Sequence, residues 1–211
     1  MLRTNVDAAY RKTKLQAKGD LQAMIEALAE LPLEFSPGDQ WNYSVSTDVC
    51  GYLVEHFSGM KLDKYFQKHI FDPLGMGDTG FSCAKDKVER LASLYEHHPK
   101  KGPVLVDPGG SKTARVKTRR MLSGGGGLLS TMADYYRFCS MLLNQGELDG
   151  NRIIGRKTLA MMASNHLPDG KDLTEMSQSA FSETTYQGVG FGLGFSVILD
   201  PVKTQSLTDV G

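Results

Sequence analysis

Apolar residues recur at helical spacing in short segments, and each segment is closed by glycine or proline. The first segment follows Asp20, a residue type that commonly caps the start of a helix. It stops before Pro37-Gly38, a pair suited to the centre of a type II turn. Its apolar face contains Leu21, Met24, Ile25 and Leu28. The pattern predicts that short amphipathic helices joined by turns dominate the first two-thirds of the chain.

Two further helices are predicted after this turn. One begins at residues 46–47 and ends at Gly59, a typical residue at a helix C-terminus. Its apolar face contains Val49, Tyr52, Leu53 and Phe57. The other covers residues 62–71 and ends at Pro73. Tyr43 consequently lies in an irregular loop just before a helix.

The middle of the chain is predicted to consist mainly of loops. Residues 82–120 show little periodicity apart from a short strand at residues 104–106. The basic cluster ARVKTRR at residues 114–120 is interpreted as a solvated loop, because no aromatic residues interleave with it as they would in a nucleic-acid site. The glycine run 124–127 is interpreted as a tight turn, since no Gly-Lys-Ser/Thr follows to form a phosphate cradle.

The last third contains two predicted helices and one strand. Thr131 and Asp134 form a T-x-x-D capping box, which begins a helix that continues up to Gly146. Its apolar stripe contains Tyr135, Phe138, Leu142 and Leu143. Another helix is predicted over residues 156–164. Alternating apolar residues across FGLGFSVIL, residues 191–199, are typical of a strand.

Charge and composition favour a small-molecule partner. Lys plus Arg and Asp plus Glu each total 24, so a net charge of zero gives no long-range attraction to nucleic acid or to an anionic membrane. With 40% hydrophobic residues, the 211-residue chain can bury the core of one domain or two small ones. No apolar run approaches the roughly 20 residues of a membrane span. The compartment is left open, with the cytoplasm slightly favoured because the first residues lack the apolar stretch of a signal peptide.

No metal or cofactor is predicted. Cys50, Cys83 and Cys139 are odd in number and too widely spaced for a metal knuckle, so they are interpreted as free thiols. His97 and His98 are adjacent and point in different directions, which suits chelation poorly, and His56, His69 and His166 have no partners at ligand spacing.

The segment from Phe35 to Phe81 contains a Pro-Gly turn, an aromatic residue, Tyr-Ser, a helix ending in Ser-Gly, and PLGM-x-x-T. It resembles the segment of β-lactamase-related serine hydrolases that carries the Y-x-N motif. This superfamily includes class C β-lactamases, family VIII carboxylesterases and penicillin-binding proteins. The resemblance continues through residues 123–154 and 190–195, so it spans most of the chain.

The resemblance implies an α+β fold of the β-lactamase/transpeptidase type, in which a helical region packs against an antiparallel sheet. Residues 1–189 would form the mostly helical region with the catalytic tyrosine loop, and residues 190–211 would begin the C-terminal sheet. About one strand of that sheet would be present. An exposed strand edge of this kind predicts self-association.

The resemblance also identifies candidate site residues. Tyr43 matches the tyrosine of Y-x-N, which serves as the partner base of the serine nucleophile and then as the acid for the leaving group. Ser44 is the middle residue of the motif, and Trp41 is a candidate lining residue of the substrate cleft. Val45 stands where asparagine is usual. Valine cannot hydrogen-bond a substrate amide, so ester substrates are favoured over β-lactams.

The nucleophile is missing from the expected position before Tyr43. The matches Ser58-x-x-Lys61 and Ser82-x-x-Lys85 both follow the tyrosine and are not expected to be catalytic. No K-T-G, H-x-G or W-x-G motif follows on a late strand. The sequence therefore predicts a carboxylesterase-like serine hydrolase that acts through an acyl-serine, represented by a fragment that is inactive alone. The alternative is a non-catalytic binding or regulatory module with the same fold.

Overall fold

The structure is a computed structural model that describes residues 5–15, 19–112, 121–177 and 186–211. The predicted basic loop at residues 114–120 lies outside these ranges. The helices are α1 (Asn5–Thr13), α2 (Leu21–Ala29), α3 (Ser46–Ser58), α4 (Leu62–Phe66), α5 (Asp72–Leu74), α6 (Met132–Leu143), α7 (Arg156–Met162), α8 (Leu173–Met176) and α9 (Pro201–Thr204). The strands are β1 (Leu94–His98), β2 (Gly102–Asp107), β3 (Glu147–Leu148), β4 (Asn151–Arg152), β5 (Val189–Phe191) and β6 (Ser196–Ile198). Helices with small antiparallel hairpins agree with the predicted α+β class.

The first core cluster lies between α2 and the start of α4. Asp20 caps α2 as predicted, since its side chain accepts a hydrogen bond from the amide of Ala23 at 3.1 Å. Met24 and Leu62 are completely buried there. The buried members of this cluster are Leu15, Leu21, Met24, Leu62, Phe81 and Met121. Because the cluster joins residues from position 15 to position 121, it packs α2 and α4 together with the segments around Phe81 and Met121.

Helix α3 has the predicted limits but not the predicted buried face. It ends at Gly59, which adopts the left-handed conformation with φ 67°. Leu53 and Phe57, expected in the core, are 41% and 81% exposed. The face that is buried carries Asp48 and Gly51 instead, because the glycine-rich loop packs on that side.

The helical segment after Gly59 continues past the predicted end at Pro73. A π-helical turn over Gln67–Phe71 connects α4 to α5, and Pro73 lies within the first turn of α5. Proline lacks an N–H, and a first helical turn leaves that group without an intrahelical acceptor in any case. The segment ends at Gly75, which has φ 64° and donates its amide to the carbonyl of Asp72 at 3.1 Å.

Helix α6 begins at the predicted cap and packs on a second core cluster. Thr131 accepts the amide of Asp134 at 3.1 Å, whereas the Asp134 carboxylate is turned away and accepts from Asp78 and Thr79. The buried members of the second cluster are Phe71, Leu74, Met76 and Met141. Leu143 was expected on the buried stripe of α6 but is exposed.

The described strands form three two-stranded antiparallel hairpins, β1–β2, β3–β4 and β5–β6. The strand predicted at residues 104–106 is part of β2, and its partner β1 was missed because LYEHH has no apolar alternation. The single strand predicted over residues 191–199 is divided into β5 and β6. The division occurs at Gly192–Gly194, where Gly192 donates its amide to the carbonyl of Phe195 at 2.8 Å. Within the described ranges, no helix is long and apolar enough to cross a bilayer.

Candidate active site

The candidate active site is built around the loop that precedes α3. Tyr43 lies in this loop with its side chain 70% exposed. Two residues earlier, the amide of Trp41 donates to the carbonyl of Met176 at 3.0 Å, and Trp41 forms a parallel bridge with Ser177. The loop is therefore anchored on the end of α8 at one side and on α3 at the other, which presents the phenol at the surface.

An aromatic cluster flanks Tyr43. The ring of Trp41 lies 6.5 Å from that of Tyr43 and makes an edge-to-face contact with Phe191, with 5.0 Å between ring centroids. Such contacts contribute about 0.5–1.5 kcal/mol beyond burial. The side chain of Asn165 accepts the amide of Phe191 at 3.0 Å and so holds β5 beside the cluster. Trp41 and Phe191 together can offer an apolar wall to a ligand at Tyr43.

Phe191 is a site residue that sequence reasoning missed. Its place on a strand was predicted from alternation, but no local pattern indicates that this strand lies beside Trp41, 150 positions away. Only the packing of β5 against the Trp41 loop brings the two rings together.

Ser44 and Val45 are placed differently from each other. Ser44 is exposed next to Tyr43. Val45 is the N-cap residue of α3, where its carbonyl accepts the amide of Asp48 at 3.0 Å. Its side chain packs against the first core cluster. The structure thus brings Trp41, Tyr43 and Ser44 together at the surface, while Val45 links them to the interior.

The glycine-rich loop, residues 123–127, lies directly on the first two turns of α3. A Cβ atom built on Gly124 would overlap the carbonyl oxygen of Thr47 and lie 3.1 Å from Cα of Gly51. One built on Gly125 would lie 2.7 Å from Oγ1 of Thr47. A side chain is therefore excluded at Gly124 by the backbone of α3 and at Gly125 by the side chain of Thr47. The prediction of a tight turn before Thr131 is confirmed.

A buried hydrogen bond joins this loop to α3. Asp48, only 5% exposed, accepts a hydrogen bond from Oγ of Ser123 at 2.5 Å. Ser123 in turn accepts the amide of Gly125 at 3.1 Å. The first turn of α3, directly after the Tyr43 loop, is thus connected to the glycine-rich loop through the side chain of Asp48.

The first S-x-x-K match forms a helix end rather than a nucleophilic pair. Ser58 donates its hydroxyl to the carbonyl of Val54 at 2.5 Å. The ammonium of Lys61 pairs with Glu55 at 3.1 Å and with Asp20 at 3.7 Å. The hydrogen bond to Glu55 raises the pKa of Lys61 above its ordinary value. A lysine held in its protonated form has no lone pair available to accept a proton, so this pair is badly suited to activate a serine.

The second S-x-x-K match borders a cavity of about 370 Å³ between the α4–π-turn segment and the loop after Gly75. Ser82 lines this cavity, but Lys85 does not. Two lysines do line it, Lys64 and Lys87. Lys64 pairs with Asp63 at 3.8 Å, and Lys87 pairs with Asp78 at 2.5 Å, a hydrogen bond that raises the pKa of Lys87. Tyr43 is not among the lining residues of the cavity. The cavity therefore does not bring Ser82 together with Lys85 and Tyr43.

The candidate metal ligands remain separate. In the part of the chain that the structure describes, no group of three or more His, Cys, Asp or Glu side chains is placed to hold a metal ion. The three cysteines are free thiols, as predicted.

Most of the chain is similar in sequence to a known protein family and to curated proteins. A family model described as Beta-lactamase matches residues 4–201. Protein Rv1367c of Mycobacterium tuberculosis strain H37Rv is 34% identical over 213 residues, covering 98% of this chain and 49% of the relative. Lovastatin esterase of Penicillium rubens is 32% identical over 145 residues, covering 67% of this chain and 36% of the relative.

The fold is shared with solved structures. EstCE1, described as a hydrolase with promiscuous acyltransferase activity, superposes with a TM-score of 0.75 at 23% identity. The match covers 96% of this chain and 53% of EstCE1. The architecture is therefore β-lactamase/transpeptidase-like. The chain spans about half the length of the curated relatives that match nearly all of it.

Proposed function

Because the chain belongs to the β-lactamase family, we propose that Tyr43 is the proton-transfer residue of a serine carboxylesterase. The observation that carries the proposal is the presentation of Tyr43 on an anchored loop, exposed at the surface and flanked by Trp41. A relative with an esterase name, lovastatin esterase, supports an ester as the substrate class.

The proposed reaction has two steps. In the first, Tyr43 acts as the general base and takes the proton of a serine hydroxyl as the serine oxygen attacks the ester carbonyl. The proton then passes to the departing alkoxide, which leaves as the alcohol, and an acyl-serine remains. In the second step water attacks the acyl-serine, giving the carboxylic acid and regenerating the serine.

Esters are favoured over amides and β-lactams as substrates. Val45 follows the Tyr-Ser pair, and its side chain, which packs against the first core cluster, offers no hydrogen-bonding group to an amide. The edge-to-face pair of Trp41 and Phe191 supplies an apolar surface for the acyl or alcohol group.

The serine of this reaction is proposed to come from an S-x-x-K motif outside these 211 residues. Ser58 is hydrogen-bonded within its helix, and Lys61 and Lys87 are both held as cations by carboxylates. We expect the 211 residues alone to be inactive, and the esterase activity to belong to a longer protein.

A chromogenic ester assay tests the proposal. p-Nitrophenyl acetate and butyrate are offered to the 211-residue chain and to the full-length protein encoded by its gene. We expect no turnover by the chain and turnover by the full-length protein. In the latter, Tyr43→Phe lowers kcat by about 10²- to 10⁴-fold, the range of general acid–base catalysis. Tyr136→Phe is the matched control, because Tyr136 on α6 is 72% exposed, much as Tyr43 is.

Two results contradict the proposal. One is a Tyr43→Phe protein that keeps the wild-type rate. The other is turnover by the 211-residue chain that disappears on Ser58→Ala or Ser82→Ala. A gene that encodes no S-x-x-K before Tyr43, together with the absence of turnover, would favour the non-catalytic binding module.

Self-association of the 211 residues is also proposed. Besides the hairpin edges, α6 exposes large apolar side chains, among them Met132 and Leu143. Sedimentation of the chain over a range of concentrations should reveal dimers or larger species, and Leu143→Ser should weaken them. The control is Leu207→Ser, which removes an exposed leucine outside α6. A monomer at every concentration would exclude self-association.

A further inference from the structure

The orientation of the Tyr43 loop depends on how the start of α3 is held. Tyr43 lies two residues before Val45, the N-cap of α3, and Val45 provides no side-chain cap. A helix start without such a cap leaves its first amides without the usual acceptor. Some other contact must fix this end of the helix if the phenol is to keep one position.

Asp48 provides that contact from inside the protein. It is the third residue of α3, and its carboxylate is buried against Ser123 at 2.5 Å. Burying a carboxylate has a desolvation cost that its hydrogen bonds must offset. An apolar residue in the same space would not have this cost. Unlike an apolar contact, the hydrogen bond has a defined direction and fixes the helix relative to Ser123.

The glycine-rich loop allows little movement around this hydrogen bond. Ser123 is held by the amide of Gly125, and a Cβ built on Gly125 would lie 3.4 Å from Oδ2 of Asp48. Gly124 lies against the backbone of Thr47. The loop and the first turn of α3 are therefore in close contact, so a displacement of one would disturb the other.

We propose that Asp48 and Ser123 are positioning residues for Tyr43. The hydrogen bond between them holds the first turn of α3 and, through residues 44–45, the position of the phenol. This inference rests on the proposed function, because it assigns the pair a role in proton transfer by Tyr43. Neither side chain needs to contact the substrate.

Kinetics of the full-length protein test the inference. Asp48→Ala and Ser123→Ala should each lower kcat for p-nitrophenyl acetate by about 10- to 100-fold, the scale expected when a catalytic group is displaced by roughly 1 Å. KM should change less than about threefold, since the substrate surface is untouched. Asp48→Asn keeps an oxygen that can accept from Ser123 and should restore most of the rate.

The same substitution in a Tyr43→Phe background separates positioning from stability. If Asp48 acts through Tyr43, adding Asp48→Ala to Tyr43→Phe should change the residual rate less than about twofold. The matched control is Asp134→Ala. Asp134 is also buried on the first turn of a helix, α6, and accepts a hydrogen bond from Thr79 at 2.8 Å. Asp134→Ala should lower the melting temperature as Asp48→Ala does, but it should leave kcat within about twofold of the wild-type value.

The outcomes distinguish the inference from the proposed function. If Tyr43→Phe is inactive but Asp48→Ala keeps the wild-type kcat, only the positioning role is overturned. The same holds if Asp48→Ala lowers the residual rate of Tyr43→Phe as much as it lowers the wild-type rate. If Tyr43→Phe keeps the wild-type rate, the proposed function fails and the inference fails with it.

Discussion

Replacing Gly124 with alanine tests whether the glycine-rich loop is held against α3. The added Cβ would overlap the carbonyl oxygen of Thr47 and lie 3.0 Å from the Thr47 carbonyl carbon and 3.1 Å from Cα of Gly51. All three atoms belong to the backbone of α3, so no side-chain rotation can relieve the overlap. The loop must move away from the helix, which disturbs the hydrogen bond between Ser123 and Asp48.

The expected loss of stability follows from these contacts. Overpacking costs about 1–3 kcal/mol, and a rigid backbone obstacle favours the upper end of this range. Replacing glycine with alanine also lowers the conformational entropy of the unfolded chain, which stabilises the folded state by about 0.4–1 kcal/mol. The net loss is about 2 kcal/mol. In a chain of 211 residues this lowers the melting temperature by roughly 4–8 °C.

Gly126→Ala is the matched control, because a Cβ on Gly126 meets no atom within 4 Å. Its melting temperature should be unchanged or raised slightly, since only the effect on the unfolded chain remains. Thermal unfolding followed by circular dichroism measures both variants under the same conditions. If Gly124→Ala melts at or above the temperature of Gly126→Ala, the loop is not packed on α3 as described.

Three other perturbations test separate parts of the structure. Met24→Ala removes a completely buried side chain of the first core cluster and should lower the free energy of unfolding in urea by about 2–5 kcal/mol. A decrease below about 1 kcal/mol would show that Met24 is not in the core. Hydrogen bonds from Lys87, and to a smaller extent from Arg90, lower the pKa of Asp78 below its ordinary value of 3.8. The contribution of this carboxylate to stability is therefore present above pH 3.8 and is lost as the pH falls through the lowered pKa. The stability difference between wild type and Asp78→Asn should therefore shrink in acid, and a difference independent of pH would contradict this assignment. Phe191→Ala removes the edge-to-face partner of Trp41, the single tryptophan, and should shift the fluorescence emission of Trp41 to longer wavelength. An unchanged emission spectrum would show that Phe191 does not cover Trp41.

Helix limits were predictable where the signal lies within a few residues. The cap at Asp20, the cap at Thr131 and the C-terminal glycine at Gly59 all occur as predicted. Caps and glycine terminators act on the nearest turn of backbone, so their effect can be read from neighbouring residues. Pro73 was misleading because it lies in the first turn of α5, where a proline is tolerated, so the helical segment continues through it to Leu74.

Buried faces could not be predicted in the same way. The apolar stripe of α3 indicated that Phe57 is buried, yet Asp48 and Gly51 occupy the interior face. Which side of a helix is covered depends on what packs against it, and here the glycine-rich loop covers the side that carries the carboxylate. The sequence of α3 contains no information on the approach of that loop.

For the candidate site, the sequence by itself indicated the family, the candidate tyrosine and the glycine-rich turn that precedes Thr131. Motifs of this kind are local, so Tyr43, Ser44 and the glycine run could be recognised from adjacent residues. Tertiary structure alone decided which distant groups surround Tyr43. Phe191 reaches Trp41 across 150 positions, and Ser123 reaches Asp48 across 75. Such contacts depend on how complete elements pack, and that packing is the result of the whole fold rather than of any one segment.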